Sequence, residues 1–233
     1  MRIENLSAGY GSIGVIEIPS LSLNEAVLTG LAGANGSGKS TLLKAISGHV
    51  GFTGSVEWGG RELVPRNPWN RFGDHIGYMP QENGAFGELS VGDNLLFVAD
   101  RIRKERDALE REFQLWLPGI KKQWNQAAKS LSGGEYQRLA IAMVLARDSQ
   151  SLLLDEPSAN LDEPALRMLE EHLREVVKVG KSVLVAEQNL DFLCDVVGMD
   201  GTILCLTDGR ICHSRRARER HLIDACVAGR CGS

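Results

Sequence analysis

The sequence has no apolar run approaching the roughly 18 residues of a membrane-spanning helix, so no part of it reads as crossing a bilayer by a helix. Its opening segment, MRIENLSAGYG, lacks the charged and apolar regions of a secretory signal. The expectation is a protein of the cytosol or of a membrane face. Nor is there a basic excess. Lys and Arg number 26 against 30 Asp and Glu, for a net charge of -4, which argues against a nucleic-acid partner. Cysteine is sparse and unpaired in pattern: Cys194, Cys205, Cys212, Cys226 and Cys231 make an odd number with no CxxC. That argues against a disulfide framework or a zinc site and for reduced thiols. What remains is 233 residues, 43% hydrophobic and 24% charged. This suffices for one large α/β domain, or for a core with one inserted subdomain.

Along the chain, residues 1 to 32 read as short strands, and the apolar run Val27 to Ala32 stops at a glycine-rich loop. A helix follows over Thr41 to Ser47. Ser55 to Trp58 alternates and meets Gly59-Gly60, a hairpin signal. DHIGYMP, residues 74 to 80, reads as a strand closed by Pro80. Residues 88 to 130 carry apolar positions at helical spacing and the charged run RIRKERDALEREF, with no strand signal, and read as an inserted helical subdomain. The charged run itself reads as a solvated helix face. Gly134 to Ala146 is helical and apolar on most sides, hence buried. Leu152 to Leu154 is a buried strand ending in Asp155. Pro164 opens a helix whose Leu166, Leu169, Leu173, Val176 and Val177 share one face. Ser182 to Ala186 is a further strand, and Ile203 to Leu206 and Ile211 to His213 flank the turn Asp208-Gly209. Residues 215 to 233 read as a C-terminal helix and tail. Strands alternating with helices imply a doubly wound, mostly parallel sheet, with ligands beyond the strand C-termini.

Three strings fall at that edge. GANGSGKST comprises Gly33, Ala34, Asn35, Gly36, Ser37, Gly38, Lys39, Ser40 and Thr41. Strand, glycine-rich loop and helix are the context of a phosphate-binding loop. Gly36 and Gly38 let backbone N–H groups approach phosphates, and the next helix aims its positive dipole end at them. Lys39 is suited to the β- and γ-phosphates and Ser40 to Mg²⁺. SLLLDEP ends in Asp155 and Glu156. Phosphoryl transfer needs a held metal and an oriented water, so Asp155 suits the Mg²⁺ side and Glu156 the general base. LSGGEYQ places Ser132, Gly133, Gly134 and Glu135 at the start of a helix, a second anion-binding geometry. One chain with one nucleotide has no evident use for two such helix ends. Two chains head to tail do.

In this order the strings resemble those of an ATP-binding-cassette (ABC) ATPase, the engine subunit of an ABC transporter, over residues 1 to 213. The resemblance implies an α/β P-loop NTPase fold with a mostly parallel core sheet, an antiparallel β subdomain and an inserted helical subdomain. It divides the chain into a nucleotide-binding core with β subdomain (1–87), a helical subdomain carrying the signature (88–134), the rest of the core (135–213), and a C-terminal helix and tail (214–233). It implies ATP and Mg²⁺ as ligands and a nucleotide sandwich dimer, homomeric or with a related ATP-binding subunit. It also implies separate transmembrane permease subunits and peripheral association on the cytoplasmic side of the membrane. By resemblance alone Gln81 is the Q-loop residue beside metal and water, near which a permease's coupling helix docks. Asp162, in SANLD, corresponds to the D-loop at the dimer interface. Tyr10 matches the aromatic that stacks on adenine, and Ile16 would line the base pocket.

Where most cassettes place His, this chain has Glu187, Gln188 and Asn189. Gln188 cannot relay a proton at neutral pH but can hydrogen-bond a γ-phosphate oxygen. That favours Glu156 as the catalytic group, with Gln188 as a sensor. EQN, NQAAKSLSGGE and ELSVGDNL resemble the branched-chain amino acid and urea importer group, whereas SANLD, Tyr136 and Arg138 depart from its usual choices. The alternatives are a soluble ABC-type ATPase without a transport role and an exporter subunit. Soluble relatives usually carry two cassettes or a long coiled-coil insertion, and neither appears here.

Overall fold

The short apolar runs sort into two sheets in the computed structural model, which describes residues 1–58, 61–62, 75–99, 106–114, 116–147 and 149–229. The Gly59-Gly60 turn, the first residues of the charged run and Cys231 lie outside the described residues. In chain order the N-terminal strands are β1 (Arg2–Tyr10), β2 (Ile13–Ser22) and β3 (Leu28–Ala32). Helix α1 (Lys39–Ile46) follows, then β4 (Phe52–Trp58), β5 (Arg61–Glu62) and β6 (Ile76–Met79). The helical stretch holds α2 (Val91–Ala99), α3 (Arg106–Phe113) and α4 (Ile120–Gln123). Next come α5 (Gly133–Leu145), β7 (Ser151–Asp155), α6 (Glu163–Lys178) and β8 (Ser182–Glu187). The chain closes with α7 (Leu190–Val197), β9 (Thr202–Thr207), β10 (Arg210–Arg216) and α8 (Arg220–Val227).

The first sheet is antiparallel in the order β2-β1-β4-β5, and the second runs β10-β9-β3-β8-β7-β6. Four neighbouring pairs of the second sheet are parallel, and only β10 is antiparallel, to β9. The α/β architecture with a parallel core and a separate antiparallel sheet is therefore present.

The core strands are apolar throughout because both faces are covered. Successive side chains of a strand point to opposite faces. Leu153, Leu184, Leu204 and Leu206 accordingly join β1, β2 and α1 in one apolar cluster. Leu152, Leu154, Val183, Val185, Ile203 and Cys205 join α5, α6, α7 and α8 in the other. The helical stretch packs Leu95, Leu109, Phe113, Trp116 and Ile120 into this second cluster.

Two expectations shift at the ends. β1 and β2 are 9 and 10 residues long, because each pairs along most of its length with the other. The C-terminal helix starts at Arg220, because Arg215 and Arg216 still pair with Ile203 and Thr202 as part of β10.

Candidate functional site

Strand β3 delivers the chain to the glycine-rich loop at the C-terminal edge of the sheet. Gly33 has no room for a side chain: a Cβ there would lie 2.5 Å from Ser37 Oγ and 2.6 Å from the Leu206 carbonyl. Gly38, with φ 105°, is the N-cap of α1 and packs against buried Ile16, whose Cγ2 a Cβ would meet at 2.7 Å. Ile16 thus supports the loop as well as lining a groove of about 850 Å³ along β2 and β10. Asn35 and Gly36 are exposed, and Thr41 and Ser37 are buried. A second cavity of about 320 Å³ is bounded by Ala34 to Ser37 on one side and Val227 to Gly229 on the other.

Lys39 is only 4% exposed, and its ammonium group turns back on its own loop. It donates to the carbonyls of Gly33 (2.8 Å) and Ala34 (3.2 Å) and stands 3.7 Å from Glu156 Oε1. The other Glu156 oxygen accepts a hydrogen bond from Gln81 Nε2 at 2.7 Å. Glu156 is held in the left-handed region, φ 50°, while its N–H extends the ladder to Ala186. Lys39, Gln81 and Glu156, drawn from three segments, therefore meet in one cluster.

Asp155, at the end of β7, is fully buried, and neither carboxylate oxygen has a hydrogen bond of normal geometry. Burial holds its carboxyl above the ordinary range; the nearby Ser40 hydroxyl opposes this, and the neighbouring Glu156 charge adds to it. The Tyr78 hydroxyl is also buried without a partner, and burial and the Asp155 charge push it upward. An orphaned carboxylate beside a serine hydroxyl is the donor set of a hard divalent cation with bound water.

The signature helix begins on a complete capping box. Ser132 Oγ accepts from Glu135 N–H, and the Ser132 N–H donates to Glu135 Oε2 at 2.9 Å. That N–H, followed by Gln123, holds Glu135 below the usual carboxylate range. Gly134 is required by close approach, since a Cβ there would sit 2.8 Å from the Asn160 carbonyl. Gln137 ties the helix to the acidic turn, donating to the carbonyls of Glu156 (3.3 Å) and Pro157 (3.2 Å). Arg138 pairs with Asp162 at 2.7 Å, and Asp162 also caps α6 by accepting from Ala165 N–H. Ser132, Gly134, Glu135 and Asp162 line a cavity of about 430 Å³ separate from those beside the phosphate loop. The glycine-rich loop and the start of the signature helix thus open into different spaces.

Gln188 is exposed just beyond β8, and Tyr10 is 51% exposed at the end of β1. Neither is drawn into the Lys39 cluster. Sequence reasoning assigned no role to Glu187, the last residue of β8. It is buried, and it accepts backbone N–H bonds from Ser158 (2.9 Å), Gln188 (3.2 Å) and Asn189 (3.3 Å). Burial raises its carboxyl above the ordinary range, and the Ser158 and Asn189 N–H groups oppose the rise. An acid closing an otherwise apolar run was its only signal in the sequence.

A family model described as ABC transporter matches residues 16–159. The chain is 32% identical over 225 residues to the probable branched-chain amino acid transport ATP-binding protein LivF of Archaeoglobus fulgidus, covering 94% of this chain and 93% of that protein. It is 33% identical to the lipopolysaccharide export system ATP-binding protein LptB of Haemophilus influenzae, over 84% and 83% of the two chains. Among solved structures, a nucleotide-free ATP-binding cassette from an ABC transporter superposes with a TM-score of 0.79 at 23% identity, covering 100% of this chain and 98% of that one. A dimeric cassette in a post-hydrolysis state bound to ADP and phosphate gives 0.75 at 25% identity, covering 93% and 98%.

Proposed function

The chain belongs to the ABC transporter family as an ATP-binding subunit, and on that premise we propose that it hydrolyses ATP to drive solute movement through separate membrane permease subunits. The observation that carries the hydrolytic reading is the convergence of Lys39, Gln81 and Glu156 beside the orphaned carboxylate of Asp155. Lys39 exchanges its loop carbonyls and Glu156 for the β- and γ-phosphates. Asp155 and Ser40 would hold Mg²⁺, with Gln81 near it, and the ion would offset phosphate charge. Glu156, positioned by Gln81, takes a proton from the attacking water. The water oxygen bonds to the γ-phosphorus as its bond to the bridging oxygen breaks, releasing ADP and phosphate. Gln188 hydrogen-bonds a γ-phosphate oxygen and senses its departure. Tyr10 offers an exposed ring to the base.

Ser132 to Glu135 complete the site of a second copy or of a related subunit, because within one chain they open into a different cavity from the phosphate loop. Asp162 lies beside them at that interface. Among the described residues no helix is long and apolar enough to cross a membrane. Near Gln81, however, Phe86 (50% exposed), Leu89 (39%) and Phe97 (62%) leave an apolar patch uncovered. We assign these exposed apolar side chains to the docking of a permease segment at the cytoplasmic membrane face.

Branched-chain amino acid import is the substrate class favoured by the EQN segment and by the similarity to LivF; the similarity to LptB supports export as the second reading. Affinity capture from native membranes tests the proposal. An integral membrane permease should co-purify, and its identity decides the direction. Recovery of the chain with no integral membrane protein would overturn the transport reading.

A further inference from the structure

Cys212, His213 and Cys226 place their sulfur and ring-nitrogen atoms within 4.8 Å of one another. Their spacing in sequence gives no hint of this, and the cause is a local irregularity. The β9–β10 register steps between Ile211, opposite Leu206, and His213, opposite Cys205, leaving Cys212 as an extra residue. Ile211 packs with the cluster of β1, β2 and α1, and Cys212 with the opposite cluster, beside α8. Strict alternation would send His213 back to the side of Ile211. The bulge re-aims it, so that two consecutive side chains face Cys226 of α8.

We infer that Cys212, His213 and Cys226 form a binding site for a thiophilic divalent cation of the Zn²⁺ class, fastening α8 to β10. Two thiolates and one imidazole are the soft and borderline donors that select this class over Mg²⁺ or Ca²⁺. Three protein ligands leave the fourth tetrahedral position to water. Cys226 is 3% exposed, whereas Cys212 and His213 are partly exposed. Among the described residues no disulfide is present. Binding replaces weak contacts: the Cys212 thiol donates to the Cys205 carbonyl at 3.2 Å, and Arg215 Nη2 lies 3.4 Å from His213 Nδ1. The α8 end so fastened, Val227 to Gly229, also walls the cavity beside Ala34 to Ser37. Metal occupancy would therefore steady one flank of the phosphate loop.

The test uses the full chain, reduced and stripped of metal, titrated with Co²⁺ and then with Zn²⁺. The expected result is one Co²⁺ per chain with a thiolate charge-transfer band, displaced by Zn²⁺, and a higher melting temperature with Zn²⁺. Cys212→Ser and Cys226→Ser should each abolish or sharply weaken the band, and Cys194→Ser should retain it. His213→Ala, at a partly exposed position, should weaken binding at least tenfold and guards against a folding defect in the cysteine variants. No thiolate band in the wild-type chain overturns the inference. So does a band that survives both Cys212→Ser and Cys226→Ser, or mass spectrometry showing that the two thiols form a disulfide in preference to binding metal.

Discussion

Replacing Glu156 by Gln separates two quantities that a damaged protein would lose together. Glu156 faces Lys39 at 3.7 Å, with side-chain exposures of 17% and 4%. At an effective dielectric near 20, unit charges at that distance interact by about 4.5 kcal/mol. Part of this is screened at the partly open Glu156 side, and the Gly33 and Ala34 carbonyls continue to serve Lys39 in the variant. When phosphates arrive they take over the lysine, and the carboxylate is left facing their negative charge. Neutralising it relieves that repulsion and ends the competition for Lys39. A net gain of about 1 to 2 kcal/mol corresponds to roughly 5- to 30-fold tighter ATP binding. Gln keeps the size of Glu and can still accept from Gln81, so the local geometry should hold. Turnover should nevertheless fall by about 10² to 10⁴, the usual loss on removing a positioned base. A fluorescent-nucleotide titration and a phosphate-release assay read the two effects. Weaker ATP binding in Glu156→Gln, or turnover within tenfold of wild type, would refute both the competition for Lys39 and the role of base.

Gln188→Ala removes an exposed side chain and should lower kcat while leaving KM within a fewfold; a raised KM with kcat intact would exclude the sensor role. Gly134→Ala forces a Cβ to 2.8 Å from the Asn160 carbonyl. Overpacking of this kind costs about 1 to 3 kcal/mol, or roughly 2 to 10 °C in melting temperature for a chain of this size. An ATP-dependent dimer, followed by light scattering, should weaken in the same variant, and an unchanged melt would mean that the Asn160 segment yields freely. Glu187 carries a carboxyl raised by burial, so its contribution favours the folded state at low pH and is lost as pH rises through the folded value. Glu187→Gln, which cannot ionise, should therefore flatten the dependence of melting temperature on pH above the ordinary glutamate range. Parallel profiles for variant and wild type would place the titration elsewhere.

Local chemistry made the phosphate loop, the acidic strand end and the capped signature helix legible, because each is a contiguous string whose residues meet one another. Glu187 was not legible in that way. Its bond to Ser158 joins residues 29 apart, and an acid at the end of SVLVAE reads equally well as a strand leaving the core. The cysteine cluster was read as unpaired thiols, since neither the bulge at Cys212 nor the approach of α8 is encoded in spacing. Conversely, the assignment of Tyr10 rested on position alone. The structure leaves its ring half exposed, where a base could reach it.

The neighbouring acids Asp155 and Glu156 show why the backbone, and not composition, divides the work between them. Consecutive residues of a strand point to opposite faces, so a straight continuation of β7 would carry Glu156 away from the side of Asp155. The turn to φ 50° breaks that alternation at a cost of about 1 to 3 kcal/mol. The cost is offset locally: the Glu156 N–H bonds to Ala186, and Gln137 binds the carbonyls of Glu156 and Pro157. The result is two carboxylates in contrasting surroundings. Asp155 is fully buried, its oxygens without a hydrogen bond of normal geometry, a state that a cation would relieve. Glu156 is partly solvated and oriented by Gln81 and Lys39, which suits a group that must accept a proton and give it up. Because Gln137 belongs to the signature helix, any displacement of that helix reaches the strained turn directly. A change of occupancy at Ser132 to Gly134 would therefore reorient the proposed base through two hydrogen bonds to backbone carbonyls, with no further relay required.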